Sequence, residues 1–144
     1  MNVFIVGSAL ETAMALDNRR LIKQIIEAQV MLDAIKGKAA WKNHPCVLQY
    51  RAYARWLQCY TYCLMHYKDA NLGSAVKASK YCEMMKPPFH TQEFFDQMKR
   101  RLYTKDKLHY SQWAELGTSE INWYFVNGEW RYYKNGKRVN ERQD

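Results

Sequence analysis

Two Asn-Gly pairs, Asn127-Gly128 and Asn135-Gly136, stand eight residues apart near the end of the chain. They separate the runs INWYFV, EWRYYK and KRV, all suited to strands. A two-residue hairpin turn needs positive φ at both central positions, which Asn and Gly adopt at least cost. The pairs therefore predict a three-stranded meander and exclude a helix over this segment. Their offset is the one internal repeat of the sequence.

Upstream, the apolar period changes from two to that of a helix. NVFIV reads as a short apolar strand or an extended arm. SALE is a capping box, Ser8 answering the first-turn amides and Glu11 returning to Ser8. It predicts a helix from about Ala9 to Lys36, broken near Asp17-Asn18 and ended by GKAAWKN. Asn43 is positioned to cap a second helix with Pro45 in its first turn. That helix runs through PCVLQYRAYARWLQCYTYCLMHY and closes at KDANLG. A third covers SAVKASKYCEMM, and Pro87-Pro88 break the pattern. Thr91 caps TQEFFDQMKRRLYT, and KDKLHYSQWAEL is a shorter helix stopped by Gly117. The expectation is a mainly α chain, one compact helical bundle over residues 1–144, with a short N-terminal extended arm and a small C-terminal β-hairpin or meander. The helical body covers about 8–116 and the β tail about 120–140.

A net charge of +8 favours a polyanionic partner. No apolar run approaches the ~20 residues of a membrane span. The opening MNVFIVGSAL lacks a positive n-region and meets Glu11 at once, so it does not read as a targeting signal. Cys46, Cys59, Cys63 and Cys82 fit no secreted framework, which points to reduced thiols and the cytoplasm.

Three stretches are candidates for function. In EWRYYKNGK, Trp130 and Tyr132 share one strand face while Arg131 and Tyr133 share the other. Rings beside cations, with Lys137 following, suit stacking on bases and pairing with phosphate; a meander whose aromatics only cap the core is the other reading. The helix MKRRLYTKDK offers Arg100, Arg101 and Lys105 to phosphate, or a solvated charged face. On the first long helix, Leu21, Ile22, Ile25, Ile26, Ala28, Leu32 and Ile35 form the apolar face. Arg20, Lys23, Gln24 and Glu27 lie opposite. Glu27 is then a lone carboxylate in a cationic strip, able to stabilise positive charge or move a proton. Alternatively it is one half of a surface pair with Lys23.

Cys59, Cys63 and His66 share one helical face, but no second Cys/His pair completes a metal site, and buried thiols explain them. No metal or small-molecule cofactor is implied. His44, in the same helix start, could be functional, but the local physics needs only Asn43 and Pro45.

LDNRRLIKQIIEAQ after the N-terminal arm, FHTQEFFDQMKRRLYTKDKLHY, and EWRYYKNGK together resemble the pyrimidine-dimer DNA glycosylases of the phage endonuclease V type. The likeness covers under half of the chain, and residues 37 to 85 or so match only loosely. It implies a compact, mostly helical DNA N-glycosylase, with or without an accompanying AP-lyase step. Such an enzyme works on damaged duplex DNA in bacterial or phage-infected host cytoplasm. By position, Glu27 would be the family's catalytic glutamate. Asn2, Arg20, Lys23 and His90 would lie against the nucleic acid, as would Trp130, Tyr132 and Tyr133. The family attacks with the chain's own α-amine; such amines ordinarily titrate near about 7.7–8.0, leaving a useful uncharged fraction at neutral pH. The family exposes a small second residue after losing its methionine. Asn2 departs from that pattern, so the amine would be that of Met1. If the amine route is lost, Glu27 could activate water, or the substrate could be a modified base or a free nucleotide. A non-catalytic nucleic-acid binder and an inhibitor of a host DNA-acting enzyme are the rival readings.

Overall fold

The computed structural model describes residues 1–37, 40–140 and 142. Lys38 and Ala39, within the stretch expected to end the first long helix, lie outside the described residues. The fold is mainly helical with a small C-terminal antiparallel sheet, as the sequence predicts. It divides into two compact units, Met1–Pro88 and Phe89–Asp144, and the division falls at the proline pair.

The first unit contains α1 (Ala9–Ala15), α2 (Asn18–Ile35), α3 (Pro45–Tyr50), α4 (Ala54–Lys68) and α5 (Leu72–Met84). The capping box forms at both ends: Glu11 N–H donates to Ser8 Oγ at 3.0 Å, and Ser8 N–H donates to Glu11 Oε1 at 3.1 Å. The break between α1 and α2 is present. Leu16 is extended, and Asp17 caps α2 through the Arg20 amide. The next cap differs from expectation. His44, not Asn43, is the N-cap of α3, its Nδ1 accepting from Cys46 N–H at 3.1 Å. Pro45 does occupy the first turn.

The long aromatic helix is two helices joined by a 3-10 turn over Arg51–Tyr53. At 100° per residue, Tyr50 and Trp56 would point about 120° apart in an unbroken helix. The turn lets them stack at 5.3 Å, and Trp56 stacks on Tyr60 at 5.0 Å. Burying this column of three rings outweighs one turn of regular helix.

NVFIV is an extended arm that, among the described residues, pairs with no strand. Val3, Ile5 and Val6 are buried with Ala9, Ala13, Ala28, Met31, Val47, Leu57 and Leu64 in the core of this unit.

The second unit holds α6 (Gln92–Lys105), capped by Thr91 Oγ1 as predicted, and a meander of β1 (Ile121–Val126), β2 (Glu129–Lys134) and β3 (Lys137–Val139). Trp123 faces Tyr132 and Phe125 faces Trp130 across β1–β2. Asn127 and Asn135 take φ of 52° and 50°, and their glycines 79° and 76°. Gln97 ties α6 to the sheet, donating to Ser119 Oγ and to the Ile121 carbonyl, each at 2.7 Å. The helix expected over KDKLHYSQWAEL is shorter, a 3-10 segment at Ser111–Leu116. Asp106 Oδ1 accepts from the His109 amide, turning the chain before a regular helix can start. Gly117, at φ 86°, ends it.

Candidate active site

An arm of extended backbone buried against helices needs partners for each amide. Side chains supply them. Phe4 N–H donates to Gln24 Oε1 at 2.6 Å, while Gln24 Nε2 donates back to the Asn2 carbonyl at 2.9 Å. Val3 N–H reaches Asn2 Oδ1, and Val6 N–H reaches Thr12 Oγ1. Tyr60 Oη donates to the Phe4 carbonyl at 2.5 Å. The first residues of the chain are thus held in one position by α1, α2 and α4.

Glu27 stands at the head of this arrangement. Its Oε2 accepts from Asn2 N–H at 3.4 Å, and its Oε1 lies 3.9 Å from Lys23 Nζ. The cationic strip expected around it does not form as drawn. Arg20 turns to Asp17, with Nη1 3.1 Å from Oδ1. Gln24, expected on the solvent face, is buried, and Ile22 and Ile26, expected in the core, are exposed. The arm covers α2 along the Gln24 side and rotates the buried face toward it.

The start of α3 completes the surroundings. The Cys46 thiol meets the Val3 amide, and burial pushes that thiol up to about 12 despite the opposing charge of the chain's α-amine. Burial first, and the same amine second, lower the His44 pKa below its ordinary 6.5. Tyr60, pushed well above 10 mainly by burial, stays a phenol and a donor. The α-amine thus acts on both the His44 imidazole and the Cys46 thiol, and the Glu27 carboxylate acts on that thiol as well. Asn2 is buried, its main chain and side chain both engaged.

In the second unit, Arg100 donates through Nε to the Leu116 carbonyl at 2.9 Å, and Arg101 through Nη1 to the Ser119 carbonyl at 3.4 Å. Both are partly exposed; Lys105 and Lys137 are exposed. Arg101, Thr104 and Lys105 line a polar cavity of about 340 Å³ with Glu120, Asn122 and the second Asn-Gly turn. His90 is 3% exposed, packed by Phe89, Phe94 and Phe95, so it cannot touch a ligand directly here. Trp130, Arg131, Tyr132 and Tyr133 are half-buried rather than open. Trp130 packs on Phe94, Phe125 and Trp123, Tyr132 meets Trp123, and Tyr133 meets Tyr124.

The arm, Glu27 and the α3 start all lie in one segment, and comparison with known proteins falls on that segment. Residues 1–68 match the family model of pyrimidine dimer DNA glycosylases. The match runs from Met1 to the last residue of α4, slightly less than half of the chain, and supports the family that the sequence resembles. It supports a DNA glycosylase function, with DNA as the partner. No curated protein and no solved structure matches the chain.

Among the described residues, no helix is long and apolar enough to cross a membrane. All four cysteines are free thiols, and no group of three or more His, Cys, Asp or Glu residues among those described could hold a metal ion.

Sequence reasoning missed Tyr60, placed Gln24 on the solvent face and set His44 aside. One available signal was a glutamine one turn before the glutamate, beside an arm whose amides have no strand to join. Tyr60 carried no local signal.

Proposed function

We propose that this chain is a DNA N-glycosylase acting on a damaged or modified base of the pyrimidine-dimer type. The α-amine of Met1 serves as nucleophile and Glu27 as the acid–base and electrostatic partner. The reading rests on one observation above others: the Glu27 carboxylate lies against the main chain of residue 2, beside the amine. The amine attacks C1′ of the damaged nucleotide, the N-glycosidic bond breaks, and the base separates from the sugar with a proton, staying joined to its neighbour where the two form a dimer. Glu27 offsets positive charge on the sugar and carries protons between amine, sugar and base. The resulting iminium permits β-elimination, which nicks the strand as an AP-lyase step. Lys23, Arg20, Arg100, Arg101, Lys105 and Lys137 contribute phosphate contacts, with Trp130, Arg131, Tyr132 and Tyr133 against the DNA. The target base must leave the stack, at a cost of about a few kcal/mol.

Borohydride trapping tests this reading on UV-irradiated, abasic and undamaged duplexes, with the adduct mapped by mass spectrometry. The expected result is an adduct on the N-terminal peptide with irradiated duplex, lost when the amine is acetylated. Base release without an adduct would replace the amine route with water activated by Glu27. Neither adduct nor release would overturn the enzyme reading in favour of a nucleic-acid binder.

A further inference from the structure

Two rows of side chains run along the solvent side of α2. Arg19, Lys23 and Glu27 stand four residues apart in one row, and Ile22, Ile26 and Val30 in the next. Residues three and four apart are neighbours on a helix surface, so Lys23 has both Ile26 and Glu27 beside it one turn on. Ile26 is 55% exposed and Ile22 37%, while Val30 is half-buried. Arg19 and Lys23 are exposed, and the Lys23 ammonium lies 3.9 Å from Glu27 Oε1. An aliphatic ridge therefore runs one helix row away from the carboxylate. The other side of α2 is anchored: Leu21, Ile25 and Ala28 are buried, and Gln24 holds the arm. A β-branched side chain in a helix keeps one preferred χ1 rotamer, so Ile26 is stiff on a fixed support.

Single exposed isoleucines are ordinary on protein surfaces. This pair is set apart by its place. A duplex that brings a sugar to Glu27 lies against this side of α2, and the cations of Arg19 and Lys23 match its phosphates. An aliphatic side chain finds no partner on the phosphate backbone. Its favourable contact is the face of a base, reached by entering a base step. We propose that Ile26, backed by Ile22, is a wedge that enters the base step beside the target nucleotide and unstacks it, opening the path of Glu27 to the sugar. The partner is duplex DNA at a weakly stacked or damaged step, and the wedge itself makes and breaks no covalent bond. Its place in a reaction rests on the glycosylase reading, but the unstacking is measurable without turnover.

The test compares wild type with Ile26→Ala, Ile26→Leu and the double variant Ile22→Ala/Ile26→Ala. Single-turnover base release from UV-irradiated duplex is read beside strand cleavage of a ready-made abasic duplex, which has no base to displace. Ile26→Ala is expected to slow base release about 10- to 100-fold and abasic cleavage by less than about 3-fold, with Ile26→Leu recovering most of the loss. Equal loss on both substrates, or no loss on either, would overturn the wedge. A second measurement needs no chemistry. In a Glu27→Gln background, saturating protein is added to a duplex carrying one pyrimidine dimer with 2-aminopurine in the adjoining step, a base that brightens on leaving the stack. Emission should rise with both isoleucines present, fall back with Ile26→Ala, and fall further in the double variant. No rise with the isoleucines present, or an undiminished rise without them, would sink the wedge. If the wild type releases no base and cleaves no abasic duplex, the glycosylase reading fails, and the 2-aminopurine signal alone decides the insertion.

Discussion

Gln24 and Phe4 are joined by a 2.6 Å hydrogen bond from the arm's amide to the side-chain carbonyl, and the same side chain donates to the Asn2 carbonyl two residues back. One glutamine thus replaces a β-strand neighbour for the chain's first residues. Gln24→Leu keeps the volume and removes both bonds, leaving two main-chain groups unsatisfied. Urea unfolding should show a loss of about 2–4 kcal/mol. A loss below about 0.5 kcal/mol would mean that the arm is anchored by its apolar residues alone.

Glu27→Gln should leave the fold intact. The amide oxygen can still accept from Asn2, and the 3.9 Å contact with the largely exposed Lys23 contributes little. Single-turnover base release should fall by about 100- to 10,000-fold while DNA binding is retained or tightened. Unchanged release would remove Glu27 from the reaction.

Alkaline stability follows from the buried thiols. Cys46 is held up to about 12 and Cys63 up to about 11, against an ordinary 9.0, burial being the main cause in both. Between these values the folded state keeps protons that the unfolded chain releases, so stability falls as pH rises. The melting temperature should be level from pH 7 to about 9 and decline above it, as the unfolding free energy falls by at most about 1.4 kcal/mol per pH unit for each thiol. Cys46→Ala should lessen that slope whatever it does to the neutral-pH value. An identical slope would show that the thiol is not the titrating group.

Salt dependence should separate the exposed cations from the buried histidine. Lys105→Ala and Lys137→Ala should each lower the slope of log affinity against log salt by about 1 for duplex DNA. His90→Gln should lower stability, since it removes a ring packed among three phenylalanines, and leave the slope alone. A changed slope would mean that His90 reaches phosphate.

The first hairpin turn depends on backbone conformation alone. Gly128 has φ 79°, and nothing lies within 4 Å of where its Cβ would be. Gly128→Ala should cost about 1–2 kcal/mol by thermal unfolding, all of it torsional, and Gly128→Asn less. A larger cost for Asn than for Ala would contradict this account.

The sequence by itself determined the elements whose signals are local. The Ser8–Glu11 box, the Asp17 break, the Thr91 cap, the Pro87-Pro88 stop and the two Asn-Gly turns act through neighbouring backbone groups, so spacing reveals them. Glu27 was legible as a carboxylate with a cation one turn away, and as the glutamate to which the family resemblance points. Tertiary structure alone decided what surrounds it. Periodicity assigned Ile22 and Ile26 inward and Gln24 outward, yet the unpaired amides of the arm need a buried polar partner, and that need turned α2 the other way. Asn43 was a good local cap by type, but His44 takes the role, its Nδ1 accepting from the Cys46 amide. The bonds that seat the arm join residues 20 to 56 positions apart, and no local pattern encodes them.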